Sequence, residues 1–208
     1  MVSVPPPGLR IVPASQASLE HLEQVFGAPG DQDECRCQWP RVSRAEWKAS
    51  SQDEREAALR SQAACGQGEG APSSGLLAYV DEAPAGWVAV EPRSVYLRLR
   101  AARLPWLGRD EDKDDDAIWA VPCFVVRPEF RGRGLMGELA AAAVAHARGE
   151  GAVAVEGYPV IPVPDARTPV GDLFVGTVGA FERAGMTEVS RPSPRRSVMR
   201  IDLAPMSG

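Results

Sequence analysis

Long apolar runs are missing from this chain, and no segment approaches the roughly 20 residues needed to span a bilayer. The N-terminal MVSVPPPGLRIV also lacks the basic region followed by an apolar core that marks a secretory signal. Cysteine is scarce. Cys35, Cys37, Cys65 and Cys123 cannot make a disulfide-rich scaffold, and the Cys35–Cys37 spacing suits neither an easy mutual disulfide nor the usual zinc patterns. Reduced thiols in a soluble cytoplasmic protein are expected, with no metal site. Positive charge is not in excess either, with 23 Lys and Arg against 28 Asp and Glu for a net charge of -5. That balance argues against nucleic-acid binding, which relies on neutralising phosphates, and favours a cationic small molecule as partner. No internal repeat is visible.

What remains is ordinary globular material: 44% hydrophobic and 25% charged residues over 208 positions, read as one domain spanning residues 1–208. Leu9–Ser15 reads as a first strand. Ser18–Phe26 carries a helical apolar stripe closed by Gly27. Two capping boxes, Ser43 to Glu46 and Ser51 to Glu54, announce further helices before the glycine-rich segment Gly66–Gly75. A hairpin follows, LLAYVD and GWVAVEPR around a turn at Glu82–Ala85. The acidic run Arg109–Ala117 reads as a solvated loop that also has the charge to draw in cationic amines.

Ile118–Val126, apolar on both faces, reads as a buried strand, and Pro122 within it removes one ladder donor, so a bulge or a separation from a neighbour is expected there. A helix after Gly134, a strand over Ala152–Val160, a proline-rich loop, a short helix through Phe181 and two closing strands complete the pattern. The order predicts an α/β fold with a mixed sheet.

The most informative stretch is VRPEFRGRGLMGELA, Val126–Ala140. A strand entering a helix through glycines leaves unpaired N–H groups at the positive end of the helix dipole, which is a ready anion site. Gly132 and Gly134 allow close approach, and Arg131 and Arg133 add charge. Together they predict a pyrophosphate cradle. The Walker pattern is absent. GRGLMG does match G-x-G-x-x-G, but it comes late in the chain, after a hairpin, which is not where a dinucleotide-binding βαβ unit places it.

The segment VVRPEFRGRGLMGELAAAAVAHA resembles motif A of the GNAT acetyltransferase superfamily, in which V-x-P-x-x-R-G-x-G precedes a helix. FERAGMTEV (Phe181–Val189) is similar to the later helix-to-strand motif, and LRIVPASQASLEHLEQVF to the opening strand and helix. The resemblance implies a central, mostly antiparallel mixed sheet flanked by helices, with strands splayed at the cofactor site. It implies acetyl-CoA as cofactor, its pantetheine arm along Phe124, Val125 and Val126. Its diphosphate would rest on the N–H groups from Gly132 through Arg133, Gly134 and Leu135 to Met136, beside Arg131. Met136 departs from the Gly or Ala common at that position, although its N–H serves equally well. Homodimers are common in the superfamily.

Family chemistry is direct attack of an amine on the thioester, the carbonyl polarised by a backbone N–H, here that of Phe124. A base and an acid are also required. The strand Ile118–Val126 holds no carboxylate, which leaves Glu156, Glu91, Asp116 or a water chain for the base. Phe181 stands where the family places a tyrosine acid, and Tyr158, two residues beyond Glu156, is the substitute. Cys123 is read as a buried thiol rather than an acyl carrier. CRCQWP and Glu156–Pro159 resemble C-x-C-x-W and E-x-Y-P elements of uncharacterised bacterial members. They nominate Cys37 and Trp39, together with Glu91, for the acceptor site, with core packing the alternative for the first two.

The expected activity is acetyl transfer from acetyl-CoA to a primary amine of a small molecule. A non-catalytic acyl-CoA sensor and a protein lysine or N-terminal acetyltransferase are the rivals.

Overall fold

The computed structural model describes residues 5–27, 31–161 and 174–203. Seven strands form one sheet: β1 (Leu9–Pro13), β2 (Gly75–Val80), β3 (Ala83–Pro92), β4 (Ile118–Val126), β5 (Ala154–Gly157), β6 (Thr187–Ser193) and β7 (Arg196–Asp202). They are ordered β1-β2-β3-β4-β5-β7-β6. Only β4 and β5 run parallel, and the other neighbours are antiparallel. The mixed, mostly antiparallel sheet expected from the sequence is thus present.

Strand alternation sorts the core onto two faces. Leu76, Ala78, Val80, Val88 and Phe124 face one side and pack on the helix α6 (Leu135–Gly149). Leu77, Tyr79, Trp87, Cys123 and Val125 face the other, where Leu22, Val25 and Phe26 of α1 (Leu19–Phe26) meet them. Both capping boxes are formed, opening α3 (Arg44–Ala49) and α4 (Gln52–Ala63). Two short helices were not foreseen, α2 (Asp31–Cys35) and α5 (Leu97–Ala101); each is too short to develop a periodic stripe. A last helix, α7 (Val178–Arg183), packs against α6.

Several boundaries shift. β1 stops at Pro13, and Ala14–Gln16 form a 3₁₀ turn. The hairpin turns on Asp81 and Glu82, both left-handed, so β3 begins at Ala83 rather than after the proline. β5 spans four residues, shorter than the expected Ala152–Val160, because β4 stops pairing with it after Val121. The proline-rich loop falls mainly on residues 162–173, outside the described residues.

Pro122 behaves as its chemistry requires. Ala89 and Glu91 of β3 face Cys123 and Ala120 of β4, so Val121 and Pro122 together oppose Val90. The extra residue is a bulge on β4, located where the strand cannot donate to a ladder. Beyond it β4 keeps β3 on one side and has parted from β5 on the other.

Candidate active site

The loop between β4 and α6 is built as an anion cradle. Gly132 and Gly134 hold φ of 76° and 77°, the left-handed region that side chains resist. A Cβ on Gly132 would meet nothing within 4 Å, so its surroundings are open. Gly134 is the N-cap of α6, and no side chain caps the helix there. The first N–H groups of α6 therefore lack an intrahelical acceptor and keep the dipole's positive end exposed. A groove of about 320 Å³ begins here, lined by Phe124, Val126, Phe130, Arg131, Gly132, Gly134, Leu135, Met136 and Phe174. Seven of the nine residues nominated for the cofactor share this wall. Val125 faces the neighbouring cavity instead, and the Arg133 guanidinium lies 5.6 Å from the Phe130 ring.

Two polar groups of the splayed strand are occupied. The N–H of Phe124 donates to the carbonyl of Phe174 at 2.6 Å, and Arg131 Nε donates to the carbonyl of Val126 at 2.9 Å. The first contact fills the ladder position that β5 leaves open, since a buried strand N–H needs an acceptor.

Phe174 also lines a second cavity of about 570 Å³, so the two spaces adjoin at this residue. Its walls are mostly aromatic and apolar: Phe26, Trp39, Pro40, Trp47, Leu99, Pro122, Val125 and Phe174, with Cys35, Cys37, Cys123 and Tyr158 between them. Cys37 and Trp39, nominated for acceptor binding, thus share a cavity with Tyr158. Trp39 and Trp47 meet edge to face with centroids 5.0 Å apart, and Arg98 stacks over Trp39 at 3.6 Å. At the floor, Cys37 Sγ donates to Cys123 Sγ at 2.7 Å. That contact and burial raise the Cys123 thiol well above its usual range, and burial pushes Cys35 up to about 11. Neutral thiols are poor nucleophiles.

Glu156 and Glu91 line neither of these spaces. Glu156 is fully buried on β5 inside a cage of guanidinium groups. Arg109 binds it through both terminal nitrogens, Arg200 Nη1 lies 2.9 Å from Oε1, and Arg93 Nη1 stands 3.5 Å away. The Tyr158 hydroxyl donates to Glu156 Oε2 at 2.7 Å. Burial and then the Glu156 charge hold that phenol well above its usual value, so it keeps its proton. Glu91 pairs with Arg41 and borders a separate cavity of about 250 Å³. Asp116 accepts from the Ser94 hydroxyl. The acidic run is not wholly solvated as expected: Glu111 and the Asp112 carbonyl bind Arg93, and Arg109 folds inward to Glu156. Phe181 is fully buried against Phe124, their rings 5.6 Å apart. A Cβ on Gly157 would stand 2.3 Å from the Phe181 ring, which is why that strand position is a glycine.

The model of the Acetyltransferase (GNAT) family matches residues 37–158, which contain the bulged strand, the glycine loop and α6. The chain belongs to that family. Acetyl-CoA is the cosubstrate that membership brings, and the open α6 amides fit its diphosphate. Solved GNAT-fold structures agree in architecture. YncA of Salmonella typhimurium, solved with its cofactor acetyl-CoA, superimposes with a TM-score of 0.53 at 13% identity, covering 97% of each chain. An N-acetyltransferase of Staphylococcus aureus Mu50 gives 0.51 at 12% identity, covering 93% of this chain and 98% of that one. At such identities the likeness concerns the fold alone. No curated protein matches in sequence. Among the described residues no helix is long and apolar enough to cross a membrane, and no cluster could hold a metal ion.

Sequence reasoning missed Phe174, Trp47 and Arg98. Phe174 acts through its carbonyl, which no side chain advertises. Arg98 sits in LRLRA among other arginines, and only the fold distinguishes it.

Proposed function

We propose that this chain transfers the acetyl group of acetyl-CoA to a primary amine of a small molecule, by direct attack within a ternary complex. The observation that carries the reading is the junction of two spaces at Phe174: a groove ending on uncapped helix amides and an aromatic cavity reaching Pro122 and Cys123. The first suits an extended diphosphate-bearing thioester, the second a compact acceptor. A cavity of about 570 Å³ lined by aromatic side chains is of the size that holds a small molecule.

In this reading the α6 amides and Arg131 hold the diphosphate, while Gly132 and Gly134 admit it. The Phe124 N–H polarises the thioester carbonyl, exchanging the Phe174 carbonyl for the substrate. Tyr158 supplies the proton to the departing sulfur, and Glu156, pinned by arginines, holds the phenol in place as a positioning residue. The four free cysteines support a reducing, cytoplasmic setting. Thiol release from acetyl-CoA across a panel of primary amines tests the proposal. Amine-dependent release supports it. Binding of acetyl-CoA without release by any amine supports the sensor reading that the buried Phe181, in place of a tyrosine, keeps open.

A further inference from the structure

Gln32, Glu34, Arg98 and Arg196 line the larger cavity among its aromatic walls, and Arg98 is set apart by how its side chain is held. Its guanidinium is stacked on Trp39 at 3.6 Å, and its Nε donates to the Trp39 carbonyl at 2.8 Å. These contacts fix the plane of the fork. Its Nη2 is buried and has no hydrogen-bond partner, and Arg98 forms no ion pair among the described residues. Arg41 pairs with Glu91, and Arg93, Arg109 and Arg200 with Glu156 and Glu111, while Arg196, which also lines the cavity, is not free. Glu34, the acid on the same cavity wall, does not pair with Arg98. Burial, and then the nearby charge of Arg44, lower the Arg98 pKa.

A guanidinium held flat against an apolar wall at the edge of a cavity is suited to a carboxylate, which accepts N–H bonds from its terminal nitrogens. The rest of the cavity is suited to hydrocarbon. The occupant therefore combines an anion, an apolar body and, where it reaches Pro122 and Cys123 at the thioester end, an amine.

We propose that the acceptor is an amino acid with an aromatic or large aliphatic side chain, its carboxylate held by Arg98, its side chain against Trp39 and Trp47. Arg98 is thus a specificity-determining residue. The inference rests on the acetyl-transfer reading above. The step balances: the amine nitrogen bonds the acetyl carbon, the C–S bond breaks, one ammonium proton passes to the sulfur and a second to solvent. N-acetylamino acid and free CoA thiol result.

Two measurements test it. In the first, wild type, Arg98→Gln and Arg98→Lys are assayed with L-phenylalanine against phenethylamine, and with L-leucine against isoamylamine. Wild type should prefer the carboxylate-bearing member of each pair by about tenfold to a hundredfold in kcat/KM, mostly through KM. Arg98→Gln should abolish the preference without changing the KM for acetyl-CoA, and Arg98→Lys should recover part of it. Equal or better use of the bare amines by wild type overturns the assignment. In the second, 3-phenylpropanoate, which has no amine, is titrated in the presence of CoA. It should stabilise wild type against heat and leave Arg98→Gln unmoved; no stabilisation, or equal stabilisation of both, also overturns it. If acetyl-CoA binds and no amine releases thiol, the transfer reading fails by itself, and the 3-phenylpropanoate titration still decides what Arg98 holds.

Discussion

At the residue scale, the proposed site separates groups that line the cavity from groups that hold other groups. Tyr158 reaches the cavity, whereas Glu156 is sealed beneath it with three arginines. Tyr158→Phe removes the proposed proton donor and should lower kcat by about 10²-fold or more, with the KM for acetyl-CoA little changed. The sign of the pH dependence follows from the raised phenol. Tyr158 stays protonated beyond the usual value near 10, so no descending limb from this group should appear below that pH, and the rate should climb as the acceptor amine loses its proton. A limb near neutrality that Tyr158→Phe abolishes counts against the assignment. Cys123 makes the opposite case. Its thiol is neutral and packed on Cys37, so Cys123→Ala should cost about 1 kcal/mol of stability, read by chemical denaturation, and leave kcat within about twofold. An inactive but folded variant contradicts that role.

At the element scale, the β4–α6 junction joins two consequences of sequence. Pro122 lies in the bulge against β3, at the point where β4 stops pairing with β5, and the glycines release the chain from the strand into an uncapped helix. Both were legible beforehand because each is local: a missing donor at 122 and the conformational freedom of 132 and 134 need no knowledge of the rest of the chain. Gly134→Val forces a β-branched residue into left-handed backbone at the N-cap of α6, so acetyl-CoA affinity should fall at least tenfold in calorimetric titration. Unaltered affinity would show that these amides do not carry the diphosphate. The Phe174 carbonyl at the same strand was not legible, because a backbone acceptor from a distant segment leaves no mark in residue type.

At the scale of the whole molecule, the fold class followed from element order and patterning, and the family from the glycine loop. What escaped were contacts between positions far apart in sequence. Arg109 and Arg200 reach Glu156 across 47 and 44 residues, and nothing local marks these three as one unit. That unit ties the acidic loop to β5 and β7. Glu156→Gln leaves the arginines buried without their common counter-charge and should destabilise the fold by about 3–5 kcal/mol, seen as a lower denaturation midpoint at unchanged slope. A shift under about 1 kcal/mol would mean that the cage is looser than its geometry.

The central claim is that the helix α6 amides and Arg131 capture the diphosphate of acetyl-CoA. Calorimetric titration of acetyl-CoA and of S-acetylpantetheine, which lacks that group, into wild type and Arg131→Glu addresses it directly. Acetyl-CoA should bind wild type at least tenfold more tightly than S-acetylpantetheine, and Arg131→Glu should narrow that gap without changing S-acetylpantetheine binding. Equal affinities for the two thioesters, or a gap unmoved by Arg131→Glu, would contradict the claim.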